Sequence, residues 1–153
     1  MRQPYPSLEW VLAQIGGGSS GLTRKRVWFS GGLYRTYDVN GASQSNANLT
    51  TLLESVIEAG WHGFLDLGVE DLSGDEINIS AKHDWSLFGA GWQTRLEQST
   101  DGKDIFDIQD CDRWVLGDFA LKGTSANAPY ADEVAHVKAP DCNYATLYRL
   151  FGH

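Results

Sequence analysis

The run from Asn48 to Lys82 constrains the rest of the chain most, because its hydrophobic period changes once and sharply. Leu49, Leu52, Leu53, Val56 and Ile57 recur at i, i+3, i+4, i+7 and i+8, an apolar stripe along one side of a helix. Asn48 is suited to accept the first unpaired N–H groups, and Gly60 suits the left-handed residue that closes a last turn. Glu54 and Glu58 fall on the wet side. Beyond Gly60 the period drops to two: Leu65, Leu67 and Val69 alternate with polar residues or glycine, and Ile77, Ile79 and Ala81 do the same across Ser73-Gly74-Asp75. This pattern predicts a helix over 48–60 feeding a hairpin, each burying the other's apolar face.

The flanks add strands. Arg24 to Ser30 and Leu33 to Val39 are β-rich runs joined by Gly31-Gly32, a two-residue hairpin signal. Residues 41–47 are small and polar and read as a loop. Trp85 to Trp92 is a further strand whose Gly89 and Gly91 point to a bulge or a close backbone approach. Asp101-Gly102 marks a turn, and Ile105–Ile108 and Trp114–Leu121 follow as strands. A short element near Val134–Lys138 precedes a terminal helix over Asp141–Phe151, with Leu147, Tyr148 and Phe151 in register. At the other end, Leu8–Ile15 reads as a short helix followed by the connector Gly16-Gly17-Gly18-Ser19-Ser20-Gly21. No internal repeat stands out. The expected fold is α+β: a mainly antiparallel sheet of five to seven strands with a central helix on one face and short terminal helices. A chain of 153 residues is expected to form one globular domain over 1–153, with 1–21 a loosely docked appendage.

Charge is spread unevenly. Residues 1–40 carry five basic groups against two acids, and the remainder carries seven against eighteen, for a net charge of -8. Such a body repels nucleic acid and membrane surfaces and attracts basic partners, although solubility alone is a competing reason for it. No apolar run approaches the ~20 residues of a membrane span. Cys111 and Cys142 suggest neither a disulfide framework nor a zinc site, so a reducing cytoplasm is the expected location.

Several constellations could carry chemistry. The order His62, His83-Asp84 and a later aspartate such as Asp112 or Asp118 resembles the metal-ligand order of HD-type phosphohydrolases. That family is helical, whereas His83 here ends a strand. Imidazole and carboxylate would hold a water-activating metal, which makes a metal-dependent hydrolase or phosphodiesterase using His62, His83 and Asp84 the enzymatic alternative. Asp66, Glu76 and Lys82 lack the Glu-x-Lys spacing of a two-strand nuclease core, and no serine lies in a nucleophile elbow. Two broader features remain. Asp101, Asp104, Asp107, Asp110 and Asp112, with Asp66, Glu70, Asp71, Asp75 and Glu76 earlier, would form an anionic recognition surface if they lie together. Six tryptophans exceed ordinary core needs, and Trp85 and Trp92 are the two assigned to partner or carbohydrate contact.

These observations lead to the expectation of a small acidic cytosolic binding or inhibitor protein, of the antitoxin, immunity or anti-defence type. It would occupy a basic surface of a protein or nucleoprotein partner and compete there with nucleic acid. No cofactor, membrane or direct nucleic-acid contact is expected. An aromatic-lined carbohydrate- or ligand-binding module is the second alternative.

Overall fold

The structure, a computed structural model, describes residues 24–123 and 137–152. The expected helix over Leu8–Ile15 and its glycine connector lie outside them, as do residues 134–136 of the short element expected near Val134–Lys138. Strands β1 (Lys25–Ser30) and β2 (Leu33–Tyr37) pair antiparallel, with Ser30 opposite Leu33. Gly31 and Gly32 have φ of 62° and 77°, the double left-handed turn that matches strand twist. The polar run after β2 is a strand and not a loop: β3 (Ser43–Asn46) pairs antiparallel with β2. Asp38 makes the turn between them, its carboxylate accepting from the Asn40 and Ala42 N–H groups at 2.9 Å each.

Helix α1 spans Leu49–Val56, with the Asn48 side chain accepting from the Thr51 N–H at 3.0 Å. It stops short of Gly60, because Ile57 is already extended at ψ 111°. Gly60, at φ 82°, instead serves a turn whose N–H donates to the Asp84 carbonyl at 2.8 Å. The predicted stripe holds: Leu49, Leu52, Leu53 and Val56 are all buried.

The rest of the chain winds. β4 (His62–Leu65), β7 (Trp85–Glu97), β9 (Asp112–Lys122) and β11 (Asn143–Gly152) lie side by side, all parallel. β5 (Val69–Asp71) runs parallel to the far end of β7. On another face, β6 (Ile77–Ser80), β8 (Phe106–Gln109) and β10 (Val137–Lys138) form a separate parallel sheet. The expected hairpin across Ser73-Gly74-Asp75 is therefore absent: its two arms sit in different sheets and pair with other turns of the chain. The mainly antiparallel sheet of five to seven strands is likewise corrected. The described residues hold eleven strands in two sheets, antiparallel only among β1, β2 and β3.

This pairing is a parallel β-solenoid, and it contains the repeat that residue identity hides. His62 lies opposite Ser86, Ser86 opposite Val115 and Val115 opposite Thr146, offsets of 24, 29 and 31 residues. Ile77, Phe106 and Val137 repeat the offsets of 29 and 31 on the second sheet. Corners recur too: left-handed φ values appear at Ala81, Asp110 and Asp141, and three residues later at Asp84, Arg113 and Tyr144. Inside, Trp85 stacks on Trp114 with ring centroids 5.6 Å apart and planes 8° from parallel. Each indole N–H donates to the carbonyl three residues earlier, Lys82 and Cys111, at 3.2 Å. Leu87 lies over Leu116 in the next column.

The predicted terminal helix over Asp141–Phe151 is β11. Its sequence fits either period, and parallel pairing with β9 places Ala145 and Leu147 over Trp114 and Leu116. The bulge expected at Gly89 and Gly91 is present: the β7–β9 offset falls from 29 at Phe88 to 25 at Arg95. A side chain on Gly89 would meet the Asp118 carbonyl at 2.9 Å, so the strand can approach there only as glycine. At the start of the solenoid, α1 packs on β2, β3 and β6. Glu54 accepts the Asn78 N–H at 2.8 Å and so covers an otherwise bare edge of β6.

Candidate functional site

A cleft of about 230 Å³ opens where the start of α1, β2 and the corner after β5 meet. Its polar wall consists of Tyr34, Asn48, Thr50, Ser73 and three carboxylates, Glu70, Asp71 and Asp75. Among the described residues no lysine or arginine lines it. Hydrogen bonds hold its walls in place. The Tyr34 hydroxyl donates to Glu70 Oε2 at 2.5 Å, across 36 residues of sequence. Burial, and then the bonded Glu70 carboxylate, push the Tyr34 hydroxyl far above its ordinary pKa, so it stays a donor. Asn48 caps α1 through Oδ1 and donates through Nδ2 to Asp75 Oδ2 at 2.5 Å. Asp71 accepts the Ser73 N–H at 2.8 Å, and that backbone bond, followed by a bond from the Ser99 side chain, keeps its carboxyl below the usual range.

Behind the cleft, Gln98 ties one corner to the next. Its Oε1 accepts from the Gly74 and Thr100 N–H groups at 2.9 and 3.1 Å, and its Nε2 donates to the Asp75 and Asp104 carbonyls at 2.8 and 3.2 Å. A buried amide satisfied on both ends makes this corner stiff. The arrangement is suited to holding a cation with several donors, such as an ammonium or guanidinium, which would meet anionic acceptors fixed by the fold.

Comparison with protein-family models, curated proteins and solved structures found no match.

The five aspartates singled out from sequence differ in exposure and in what holds them. Asp101 lies exposed in its turn, while Asp104 beside it is buried and its N–H donates to Glu76 Oε1 at 2.8 Å. These two belong to the corner behind the cleft. Asp107 lies on the outer side of β8, and Asp110 and Asp112 lie at the next corner. Asp112 is a link between successive turns: its Oδ1 accepts from the Asn143 N–H and Nδ2 at 2.9 and 3.1 Å. Those bonds lower its pKa.

Trp85 is a correction. It is 0% exposed in the core against Trp114 and offers nothing to a partner. Trp92, pushed out by the β7 bulge, is 60% exposed and stacks on Phe151 at 4.2 Å. The two tryptophans assigned together from sequence therefore point to different environments.

The proposed metal ligands are each committed elsewhere. His62 Nδ1 is 2.7 Å from Ser86 Oγ, His83 Nδ1 accepts the Asp112 N–H at 3.0 Å, and Asp84 is paired with Arg113 at 2.6 and 3.0 Å. Among the described residues no three His, Cys, Asp or Glu side chains are grouped to hold a metal. No helix of the described residues is long and apolar enough to cross a membrane. The cleft residues were the ones underweighted by sequence. Glu70, Asp71 and Asp75 were visible as acids, but nothing local joined them to Tyr34 or Asn48.

Burial lowers the pKa of His62, opposed by the nearby Asp84 charge, so the folded state holds it neutral. An unfolded histidine titrates near ~6.5. The unfolded chain therefore takes up a proton first as pH falls, and stability should be lost from about pH 6.5 downward to the depressed folded value. Melting temperature measured from pH 8 to pH 5 (about the range over which histidine switches) should fall more in the native protein than in His62→Gln. Equal slopes would assign the pH dependence to other groups.

Proposed function

We propose that the protein is a small acidic binding module of the inhibitor type (antitoxin, immunity or anti-defence) that occupies a basic surface of a protein or nucleoprotein partner. Competition with nucleic acid for that surface follows from the same charge logic. The observation that carries this reading is the cleft: Glu70, Asp71 and Asp75 around one opening, with no basic side chain among the described residues that line it. A lysine or arginine side chain of the partner would enter it, desolvate against Leu49 and Leu72, and donate hydrogen bonds to fixed carboxylates. Exposed Asp101 and Asp110 and half-buried Asp107 widen the negative field that steers a basic partner toward the protein.

The test is Glu70→Gln with Asp71→Asn and Asp75→Asn, read against an arginine-rich peptide as probe. These amides keep shape and acceptor oxygens, so folding should be nearly unchanged. Affinity should drop by about tenfold or more, equivalent to ~1.4 kcal/mol. Binding to the native protein should also weaken as salt rises. Undiminished binding in the triple variant would remove the cleft from the function.

A further inference from the structure

The two ends of the solenoid are unlike. At the start, α1 lies across β6 and Glu54 takes the Asn78 N–H, so that edge is blocked to another strand. At the other end, β11 pairs with β9 on one side and with no described strand on the other. Its residues continue the core columns, Ala145 over Trp114 and Leu147 over Leu116, yet no described strand covers them in turn. Trp114 and Leu116 are at most 1% exposed, whereas Leu147 is 56% and Tyr144 80% exposed. Phe151, with Trp92 stacked on it, extends the same apolar end.

Charge narrows the choice of occupant. A protein of net charge -8 resists self-association through most of its surface. Residues 137–152 depart from that, with Lys138 and Arg149 against Asp141, a formal +1, as does the basic stretch around β1 and β2, whose strands are already paired on both sides. Within β11 itself the single charged residue is Arg149, already paired with Asp118 at 2.6 Å. This end thus combines an apolar face, an unpaired strand edge among the described residues and no net negative charge.

We propose that two copies join through this end, β11 against β11 of the second copy, as a closed two-fold dimer. Head-to-tail stacking has no matching edge, since β4 is occupied by β1, β6 is covered by α1 and Glu54, and β3 is a four-residue polar strand, so the contact is isologous and stops at two copies. Antiparallel pairing also preserves the faces. With the two-fold axis at Thr146, Ala145 lies opposite Leu147 of the second copy, both pointing inward, and the core continues across the junction.

Sedimentation velocity on the whole chain, from low micromolar to several hundred micromolar, should show a reversible shift from 16.9 kDa to twice that mass. Leu147→Lys places two ammonium groups beside the axis and should raise the dissociation constant by about tenfold or more. Its circular dichroism should match the native protein, since Leu147 is already half exposed in a single copy. Tyr37→Lys, a comparable change to an exposed aromatic on β2, should leave the dimer intact. A mass that stays at one copy throughout would overturn the proposal. So would growth beyond two copies, equal loss of the dimer in Tyr37→Lys, or a dimer unaffected by Leu147→Lys.

Discussion

Replacing Trp114 with alanine should lower the unfolding free energy by about 3–5 kcal/mol, the range for removing a large aromatic from a core. The side chain is 1% exposed and stacks on Trp85, and its N–H is bonded to the Cys111 carbonyl. Neighbouring side chains cannot close the gap, because the ladder between β7 and β9 holds the walls at strand spacing. Two further losses add to the cavity: the Cys111 carbonyl gives up a buried donor, and Trp85 gives up its stacking partner. Urea denaturation should show a lower midpoint with little change in slope. A midpoint within experimental error of the native one would mean that the stacked column is not what holds successive turns together. Because solenoid stability is carried by contacts between neighbouring turns, hydrogen exchange should accelerate on both sides of the substitution, in β7 and in β11.

Leu53→Ala should cost about 2–5 kcal/mol, and it should do so in a different place. Leu53 is 0% exposed in the stripe that seals the start of the core, on a helix that packs against β2, β3 and β6. Eight residues make too short a helix to persist alone, so α1 exists through this burial. Loosening it also weakens Glu54 on Asn78 and Asn48 on Asp75, the bonds that cover β6 and shape the acidic cleft. Exchange should therefore rise first in α1 and β6, with β9 and β11 affected least. Binding of the arginine-rich probe should weaken alongside stability. Unaltered melting together with unaltered exchange in α1 would show that the stripe is not part of the cooperative core.

Which parts of this protein could be read from sequence follows from the range of the forces involved. The apolar stripe on α1, the Asn48 cap, the Gly31-Gly32 hairpin and the bulge at Gly89 each rest on contacts or backbone demands within a few residues. Those are written in local spacing and appear where the spacing places them. The repeat was faintly written as well: Trp85 and Trp114, Leu87 and Leu116, and the two left-handed corners all recur 29 residues apart. With unlike residues between, these coincidences carry no weight until the strands are seen to stack.

Tertiary structure alone decided the pairing. Alternation at Leu65–Val69 and Ile77–Ala81 suits a hairpin or two faces of a solenoid equally, because period two states which side is buried and not which strand lies alongside. The choice went to residues 24 to 31 positions away, whose apolar columns bury more together than one hairpin could. The same cause turned Asp141–Phe151 from a helical pattern into β11. It also divided the aspartates of 101–112 between two corners, and brought Tyr34, Asn48, Glu70 and Asp75 around one cleft from widely separated positions. Residue chemistry set what each of these groups could do. The winding of the backbone set which of them could do it together.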